Sequence, residues 1–260
     1  MTVSNNNTSS SKTLGKALIM LNAFTNEKLE WGVRSLADYL SISPSIAHRI
    51  LKTLTDFNYL AQDQVRKKYT LGPEILRLAS AYYQNNPLQM IASEVFHKHT
   101  KEWPYDLYMG SLSGYEVAYS AIVSGSSRIK IEIHAGERTA LFSTALGKVL
   151  LAYQSEEFQK EYFKKVVFTQ FTSKTITNPE QLINQLHEIR IKGYAVNEGE
   201  QYEKIGSLGA PVFNYEQRIA ASVCLTYPMF ENDSLLNQHE KLVTLVKTVA
   251  QEITSRYSGL

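Results

Sequence analysis

Residues 35–60 read SLADYLSISPSIAHRILKTLTDFNYL, and they decide the fold of the first third of the chain. Ser43 and Pro44 are typical of a helix start, because a serine hydroxyl caps the first turn and proline at the first position has no amide hydrogen to leave unbonded. We therefore predict a long helix that begins there. A shorter helix over residues 36–40, capped by Ser35, is predicted to precede it.

The long helix is predicted to have one buried and one exposed face. Its apolar residues recur at the spacing of a single helical face, namely Ala47, Ile50, Leu51 and Leu54. Polar and basic residues recur on the opposite face, namely Ser45, His48, Arg49 and Lys52. A short helix, a three-residue turn and a longer helix with an exposed basic stripe form the helix-turn-helix plan, which places the second helix in the major groove of DNA.

The next segment indicates a β-hairpin with a basic tip. Two short runs, residues 59–62 and 68–72, flank a tip over residues 63–67 that contains three charged residues. A hairpin in this position is the wing of a winged helix-turn-helix, and its cations can contact phosphates. An isolated basic hairpin is more often a solvated turn, so the order of the features along the segment decides the interpretation. The candidate DNA-binding residues are Ser43, Pro44, Ser45, His48, Arg49, Lys52, Arg66, Lys67 and Lys68.

Composition favours a two-domain protein of the cytoplasm. The chain has 260 residues, of which 43% are hydrophobic and 20% charged, and this is enough material for two cores. We find neither a secretion signal nor an apolar run that would span a membrane. The net charge is +2, and residues 1–84 carry ten Lys or Arg against six Asp or Glu. The single cysteine, Cys224, offers no disulfide and no metal quartet, so we expect neither a metal nor a cofactor.

The predicted organisation has four parts. They are a disordered, Ser/Asn/Thr-rich tail over residues 1–11, a winged helix-turn-helix domain over residues 12–72, a helical linker over residues 73–86 and a larger domain over residues 87–260. Alternating patterns in the larger domain predict strands over residues 106–113, 116–123, 129–134, 194–197, 208–213 and 219–226. Asn178 and Pro179 predict a helix start and Gly193 its end.

The chain resembles the IclR family of bacterial transcriptional regulators along nearly its whole length. Beside residues 35–60 and KYTLG (68–72), the segments that carry the resemblance are TALFSTALGKVLLAY (139–153), TITNPEQLINQLHEIRIKGYAVNEGE (175–200) and GSLGAPVFN (206–214). The resemblance implies an α+β fold, with a winged helix-turn-helix domain, a helical linker and a GAF-like α/β effector-binding domain whose sheet is mainly antiparallel.

In function, the resemblance implies a regulator, either a repressor or an activator, that controls a catabolic operon in response to a small-molecule effector. Near-palindromic double-stranded operator DNA and a homodimer, or a dimer of dimers as a homotetramer, would be its partners. The effector would carry a carboxylate, because Ser143 or Thr144 caps a helix whose amides at Ala145 and Leu146 could hold one. Without the resemblance, the favoured interpretation is that the cap hydroxyl and water satisfy these amides.

The effector site implied by the resemblance comprises Ala145, Leu146, Asn197, Ser207, Cys224 and Thr226. Where relatives that bind small oxoacids tend to have Asp, Cys, Ser and Ser, this chain has Asn197, Ser207, Cys224 and Thr226. The pattern of the last strand independently places Ser222, Cys224 and Thr226 on one face. Such a row fits a polar pocket or a set of satisfied core residues equally well.

Three other interpretations compete with a ligand-responsive regulator. Cys224 with His134 or His187 could form a thiol–imidazole pair, but no spacing brings them together, and we expect no enzyme. His97 and His99 are two residues apart on a helix and point in different directions, so they do not form a metal site. The third interpretation keeps the helix-turn-helix and makes the larger domain a dimerisation module that has lost effector binding.

Overall fold

A computed structural model describes residues 11–25, 28–127, 131–229 and 236–259. The chain divides between Asn85 and Asn86 into two compact units, and each is described by itself. The predicted tail lies outside the described residues except for Ser11, whose hydroxyl accepts a hydrogen bond from the Leu14 amide at 3.4 Å and caps the first helix.

The smaller unit contains four helices and one hairpin within its described residues. In chain order they are α1 (Lys12–Leu21), α2 (Val33–Tyr39), α3 (Pro44–Asp56), β1 (Leu60–Gln62), β2 (Tyr69–Leu71) and α4 (Pro73–Gln84). The two strands pair antiparallel, with Leu60 opposite Leu71. The core of this unit draws on α1, α2, α3 and the hairpin, so the predicted winged helix-turn-helix is confirmed.

Helix α3 forms as its sequence predicts. The Ser43 hydroxyl accepts a hydrogen bond from the Ile46 amide at 3.3 Å, and Pro44 occupies the first helical position. Ala47, Ile50 and Leu51 are buried against the core, which secures one face of the helix.

Helix α2 begins earlier than predicted. Its first residue is Val33 and its cap is Gly32, whereas Ser35 lies inside the helix and its hydroxyl donates to the Gly32 carbonyl at 3.1 Å. The cause is a long-range contact: Trp31 exchanges two backbone hydrogen bonds with Tyr69, which fixes the chain just before the helix. The prediction that Ser35 caps this helix was therefore wrong.

The larger unit is built on one six-stranded sheet. Its elements are α5 (Pro87–His99), β3 (Asp106–Ser113), β4 (Glu116–Val123), β5 (Arg138–Ala140), α6 (Ala145–Ala152), α7 (Glu156–Lys165), α8 (Pro179–Lys192), β6 (Ala195–Glu198), β7 (Ile205–Phe213), β8 (Ile219–Pro228) and α9 (Leu236–Ser258). The strand order is β5-β4-β3-β8-β7-β6, and every neighbouring pair is antiparallel. The predicted α+β class with a mainly antiparallel sheet is confirmed.

Helices cover both faces of this sheet. Helices α5 and α9 pack on one face through residues such as Phe96 and Val246, while α6, α7 and α8 pack on the other. The odd-numbered residues of β8, such as Val223, face α5 and α9. Cys224 faces α6. The sheet alternation therefore directs the polar row of β8 toward the face that carries α6.

The strand predicted over residues 129–134 is not present in its described part. Residues 128–130 lie outside the described residues, and residues 131–134 have no strand pairing. The strand beside β4 is instead β5, which pairs Arg138 with Ala118. A run of alternating apolar residues cannot by itself identify which segment finds a partner at a sheet edge. Helices α7 and α9 were not predicted.

Glycines let the start of α6 approach its neighbours closely. A Cβ on Gly147 would lie 2.4 Å from the Leu141 backbone, and one on Gly209 of β7 would lie 2.8 Å from the Ala145 carbonyl oxygen. Both distances are far shorter than a real Cβ contact, so α6 can occupy this position only beside glycine. Within the described residues, no helix has the length and apolar character needed to cross a bilayer.

We predict that Gly147→Ala destabilises the protein by about 1–3 kcal/mol, because the added methyl group overpacks a contact made by backbone atoms. Gly15→Ala is the matched control, since Gly15 is also helical and a Cβ there would meet nothing within 4 Å. It should leave stability unchanged or raise it by up to ~1 kcal/mol. Urea unfolding followed by circular dichroism measures both, and equal effects would contradict the packing argument.

Candidate nucleic-acid interface and ligand cavity

The polar face of α3 is exposed in the structure. Ser45, His48, Arg49 and Lys52 are all solvent-accessible. Within the described residues, the side chains of Arg49 and Lys52 form no ion pair. Two cations are therefore presented on one face of a helix whose opposite face is anchored in the core. This geometry suits an element that enters the major groove.

The basic residues of the hairpin tip differ in their pairing. Arg66 donates to Asp63 at 2.8 Å and to Glu30 at 2.9 Å, and Lys68 forms an ion pair with the same Glu30 carboxylate. Lys67 has no ion-pair partner among the described residues and is exposed. Nothing in the sequence distinguishes these three cations. In the described part of the structure Arg66 and Lys68 are paired with carboxylates, and Lys67 is not.

Asp63 fixes the backbone of the hairpin tip and also pairs with the Arg66 side chain. Its Oδ1 accepts hydrogen bonds from the amides of Val65 and Arg66, both at 2.9 Å. These backbone bonds, followed by the bond from the Arg66 side chain, lower the pKa of Asp63 to about 2. The Lys68 hydrogen bond likewise lowers the pKa of Glu30. Both carboxylates are thus ionised at neutral pH and hold Arg66 and Lys68 in place.

All six residues of the predicted effector site line one cavity in the larger unit. They come from the start of α6 (Ala145, Leu146), from β6 (Asn197), from β7 (Ser207) and from β8 (Cys224, Thr226). The sheet register explains the convergence, because Ser207 is paired with both Asn197 and Thr226. The free space within the cavity is about 30 Å³, room for roughly two water molecules, so a bound ligand must be small or must displace the lining side chains.

The start of α6 presents unsatisfied donors to this cavity. Thr144 is the cap, and its hydroxyl accepts a hydrogen bond from the Gly147 amide at 3.0 Å. The amides of Ala145 and Leu146 have no acceptor among the described residues. Both residues are buried, so these amides have limited access to bulk water. Ser207 is a buried residue that lines the cavity, and its hydroxyl forms no hydrogen bond in the described part of the chain. Donors of this kind suit an anion.

Asn197 lines the cavity, but its side-chain amide bonds mainly to the backbone around the cavity. Its Oδ1 accepts from the amides of Gly199 and Glu200, each at 3.0 Å, and its Nδ2 donates to the Ser143 carbonyl. The backbone groups on either side fix the orientation of the amide, because N–H groups need an acceptor and a carbonyl needs a donor. Aspartate here could accept the same two bonds but could not donate to Ser143.

A buried ion pair lies behind the start of α6. Lys148 is completely buried and its ammonium contacts Glu200 Oε1, while Glu200 Oε2 is buried with no hydrogen-bond partner in the described residues. Burial lowers the pKa of Lys148 and raises the pKa of Glu200, and the attraction between the two groups opposes both shifts. The hydroxyls of Thr172 and Thr175 donate to the carbonyls of Gly199 and Glu200, both at 2.7 Å. The turn over residues 197–201 is thus held by Lys148 of α6 on one side and by Thr172 and Thr175 on the other.

Sequence reasoning missed most of the cavity wall. The further lining residues include Tyr108, Tyr119, Ile133, Gln201 and Tyr202. Tyr108 lies opposite Cys224 in the sheet, a relation that only the strand register reveals. Gln201 accepts a hydrogen bond from the Ser143 hydroxyl across 58 residues of sequence. No local pattern marks either position.

The alternative sites considered from sequence do not assemble. Cys224 is buried, and burial raises the pKa of its thiol well above the usual range, so the thiol remains protonated. His134 is paired with Glu137 at 2.9 Å, and His187 is exposed on α8. His99 contacts Glu252, while His97 Nδ1 lies 2.7 Å from the Ser93 carbonyl oxygen. The described residues contain no group of three or more potential metal ligands.

Two family models match the chain, one for each unit. Residues 13–64 match the IclR helix-turn-helix domain, and residues 81–255 match the C-terminal domain of the bacterial transcriptional regulator IclR. The second match alone covers more than half of the chain.

Relatives of known name and structure agree with these matches. The regulator KdgR of Dickeya chrysanthemi is 29% identical over 88% of this chain and 75% of its own length, and KdgR of Escherichia coli is 26% identical over 88% and 87%. The crystal structure of Thermotoga maritima IclR has a TM-score of 0.74 at 26% identity and covers 95% of this chain and 98% of that one. An IclR homologue from Microbacterium hydrocarbonoxydans, crystallised with 4-hydroxybenzoate, has a TM-score of 0.84 at 18% identity, with 96% and 100% coverage, and shares the fold.

The paired domains, their order along the chain and the relatives of both lead to one conclusion: this chain belongs to the IclR family of bacterial transcriptional regulators.

Proposed function

We propose that this regulator binds operator DNA through α3 and the hairpin tip, and that a small carboxylate in the cavity of the larger unit changes its affinity for DNA. The observation that carries the proposal is the convergence of six residues from four segments on one cavity, beside the unbonded amides of Ala145 and Leu146. A catabolic operon is the proposed target. The chain binds its effector and does not transform it.

In the DNA-binding unit we assign base contacts to the first turns of α3, and phosphate contacts to its start, to Lys52 and to the hairpin tip. Ser45, His48 and Arg49 are exposed at the beginning of a helix anchored on its other face, where groove-reading residues lie. Ser43 and Pro44 form the helix start and approach the backbone of the DNA. Lys52, Arg66, Lys67 and Lys68 contact phosphates, and Lys67 contributes most because it does not have to leave a carboxylate.

A carboxylate is the proposed ligand group because the cavity supplies donors without a cation. The amides at a helix start carry partial positive charge, and the Ser207 hydroxyl can complete the coordination of an anion. The ligand of the Microbacterium homologue, 4-hydroxybenzoate, also carries a carboxylate. The alternative of a larger unit that only dimerises has no comparable support, since an empty cavity lined by unsatisfied donors lowers stability.

We propose that two copies act together on a near-palindromic operator. Helix α4 has no fully buried residue and exposes Leu76, Leu78 and Tyr83. A second copy of the chain would cover these side chains. Binding of the effector would then favour one arrangement of the paired chains, and DNA affinity would change by the coupling free energy, typically about 1–3 kcal/mol.

We predict that Arg49→Ala weakens binding to the preferred DNA sequence by roughly ten- to a hundredfold, the equivalent of a lost bidentate base contact, but weakens random DNA binding little. The preferred sequence comes from selection out of a randomised duplex pool. Lys52→Ala is the matched variant from the same helix, and it should reduce binding to both DNAs by a similar factor. Equal losses for the two DNAs in the Arg49 variant would contradict its assignment to a base.

We also predict that Lys67→Ala lowers the slope of log affinity against log salt by about 1, as expected when one phosphate contact is lost. Arg66→Ala is the control and should change the slope less, because Arg66 is already paired with Asp63 and Glu30. Fluorescence anisotropy across a salt series measures both slopes. A larger change in the Arg66 variant would reverse the proposed roles.

The effector site is tested by removing one amide hydrogen without removing the helix. Ala145 is the first residue of α6, and Thr144 before it is extended (φ −125, ψ 150), so proline is compatible with this position. We predict that Ala145→Pro weakens carboxylate binding more than tenfold, because it deletes a charge-assisted hydrogen bond of about 1.5–3 kcal/mol.

Glu156→Pro is the matched control. Glu156 is the first residue of α7, follows an extended Ser155 and does not line the cavity. Calorimetric titration of the full chain with lactate, pyruvate, benzoate and gluconate measures binding, and circular dichroism checks that both variants fold. If no acid binds the unaltered chain, the proposed effector site is wrong and the dimerisation module becomes the better interpretation.

A further inference from the structure

We infer that the cavity selects ligands with a single carboxylate and an uncharged remainder, and that it discriminates against a second negative charge. This inference rests on the proposed function, since it concerns the same cavity. Its evidence is the charge of the residues around the cavity.

The start of α6 and Ser207 supply the anion-binding donors on which the inference rests. The amides of Ala145 and Leu146 and the hydroxyl of Ser207 are unpartnered among the described residues, and Ser207 is only 9% exposed. Two backbone amides and one hydroxyl are sufficient for one carboxylate. They carry partial charges and cannot neutralise a second carboxylate elsewhere in the ligand.

The rest of the described lining is neutral. It presents phenols (Tyr108, Tyr119 and Tyr202), hydroxyls (Thr144 and Thr226), amides (Asn197 and Gln201), the Cys224 thiol and aliphatic side chains, and no described lining residue carries a full charge. Tyr119 lines the cavity and its hydroxyl forms no hydrogen bond within the described residues, so it can donate to an uncharged oxygen of the ligand. A second carboxylate placed here would lose its hydration without gaining a cation.

The nearest buried cation cannot take that role. Lys148 is fully buried, does not line the cavity and is paired with Glu200, whose second carboxylate oxygen has no hydrogen-bond partner among the described residues. The pair therefore offers no surplus positive charge to a ligand. A carboxylate also lies behind one of the phenols: Asp106 Oδ2 is 3.3 Å from the Tyr108 hydroxyl. It adds repulsion to the cost of desolvating a second anion.

Size-matched ligands test the inference on the full chain. Succinamate has the shape of succinate with one carboxylate replaced by an amide, and 4-carbamoylbenzoate has the same relation to terephthalate. Calorimetric titration at constant ionic strength should show at least one monoamide binding tenfold or more tightly than its diacid. The corresponding diamides, succinamide and terephthalamide, should bind weakly, because they lack the group that the α6 amides hold.

A variant with an added positive charge should weaken the preference. Gln201 lines the cavity and is partly exposed, so a lysine there can extend its ammonium into the cavity. Gln201→Lys should reduce the ratio of the two dissociation constants at least fivefold by improving the diacid. Gln201→Met has a similar length and also removes the acceptor of the Ser143 hydroxyl, but it adds no charge. It can weaken binding of both ligands, but it should not shift the ratio toward the diacid.

The outcomes separate the inference from the function on which it rests. Equal affinity of the unaltered chain for a monoamide and its diacid, or tighter binding of the diacid, would overturn the inference and leave the carboxylate site standing. No binding of any acid, or equal binding of the diamides, would overturn both. A shift of the ratio by Gln201→Met as large as that by Gln201→Lys would show that shape, and not charge, sets the preference.

Discussion

The start of α6 is tied to the turn over residues 197–201, and the geometry of the cavity depends on this contact. Asn197 donates to the Ser143 carbonyl, the Ser143 hydroxyl donates to Gln201, and Lys148 pairs with Glu200. Each bond joins a group on or just before α6 to one in the turn. The unsatisfied amides of α6 therefore keep a fixed distance from the polar groups of the turn, and both sides of the cavity are set in advance of any ligand.

The buried ion pair in this contact is better explained by geometry than by stability. Lys148 is fully buried and Glu200 nearly so, and burial shifts the pKa of each toward its neutral form. Desolvation of two charges commonly cancels their attraction, so two apolar side chains of similar volume would stabilise a protein core at least as well. An ion pair is directional, however, and sliding α6 along the sheet would separate its charges. The pair specifies one position of α6 among several that an apolar contact would tolerate.

The sequence predicted a structural feature correctly where the residues that determine it lie close together along the chain. The start of α3 was predicted correctly because Ser43 and Pro44 act on the amides of their own turn. The capping of α2 by Ser35 was wrong because Trp31 and Tyr69, 38 residues apart, fix that helix start. The family resemblance indicated six residues that do line one cavity. Tyr108 and Gln201 were not predicted, because the register of β3 with β8 places Tyr108 there and the hydrogen bond from Ser143 places Gln201 there. The residues 131–134 failed as a strand because β5 occupies the edge beside β4.

Under the proposed function, the two units recognise an anion by opposite means. In the smaller unit full charges face solvent, where water screens them; Glu30 and Asp63 hold two of the hairpin cations, and Lys67 has no ion-pair partner among the described residues. Flexible, screened charges suit a long polyanion whose phosphates recur along a backbone. In the larger unit the described cavity lining has no full charge and offers backbone amides held rigid by Ser143, Asn197 and their neighbours. Fixed partial charges in such a cavity would distinguish small molecules by the position of one anionic group, because an anion that misses the amides meets no cation in the described lining.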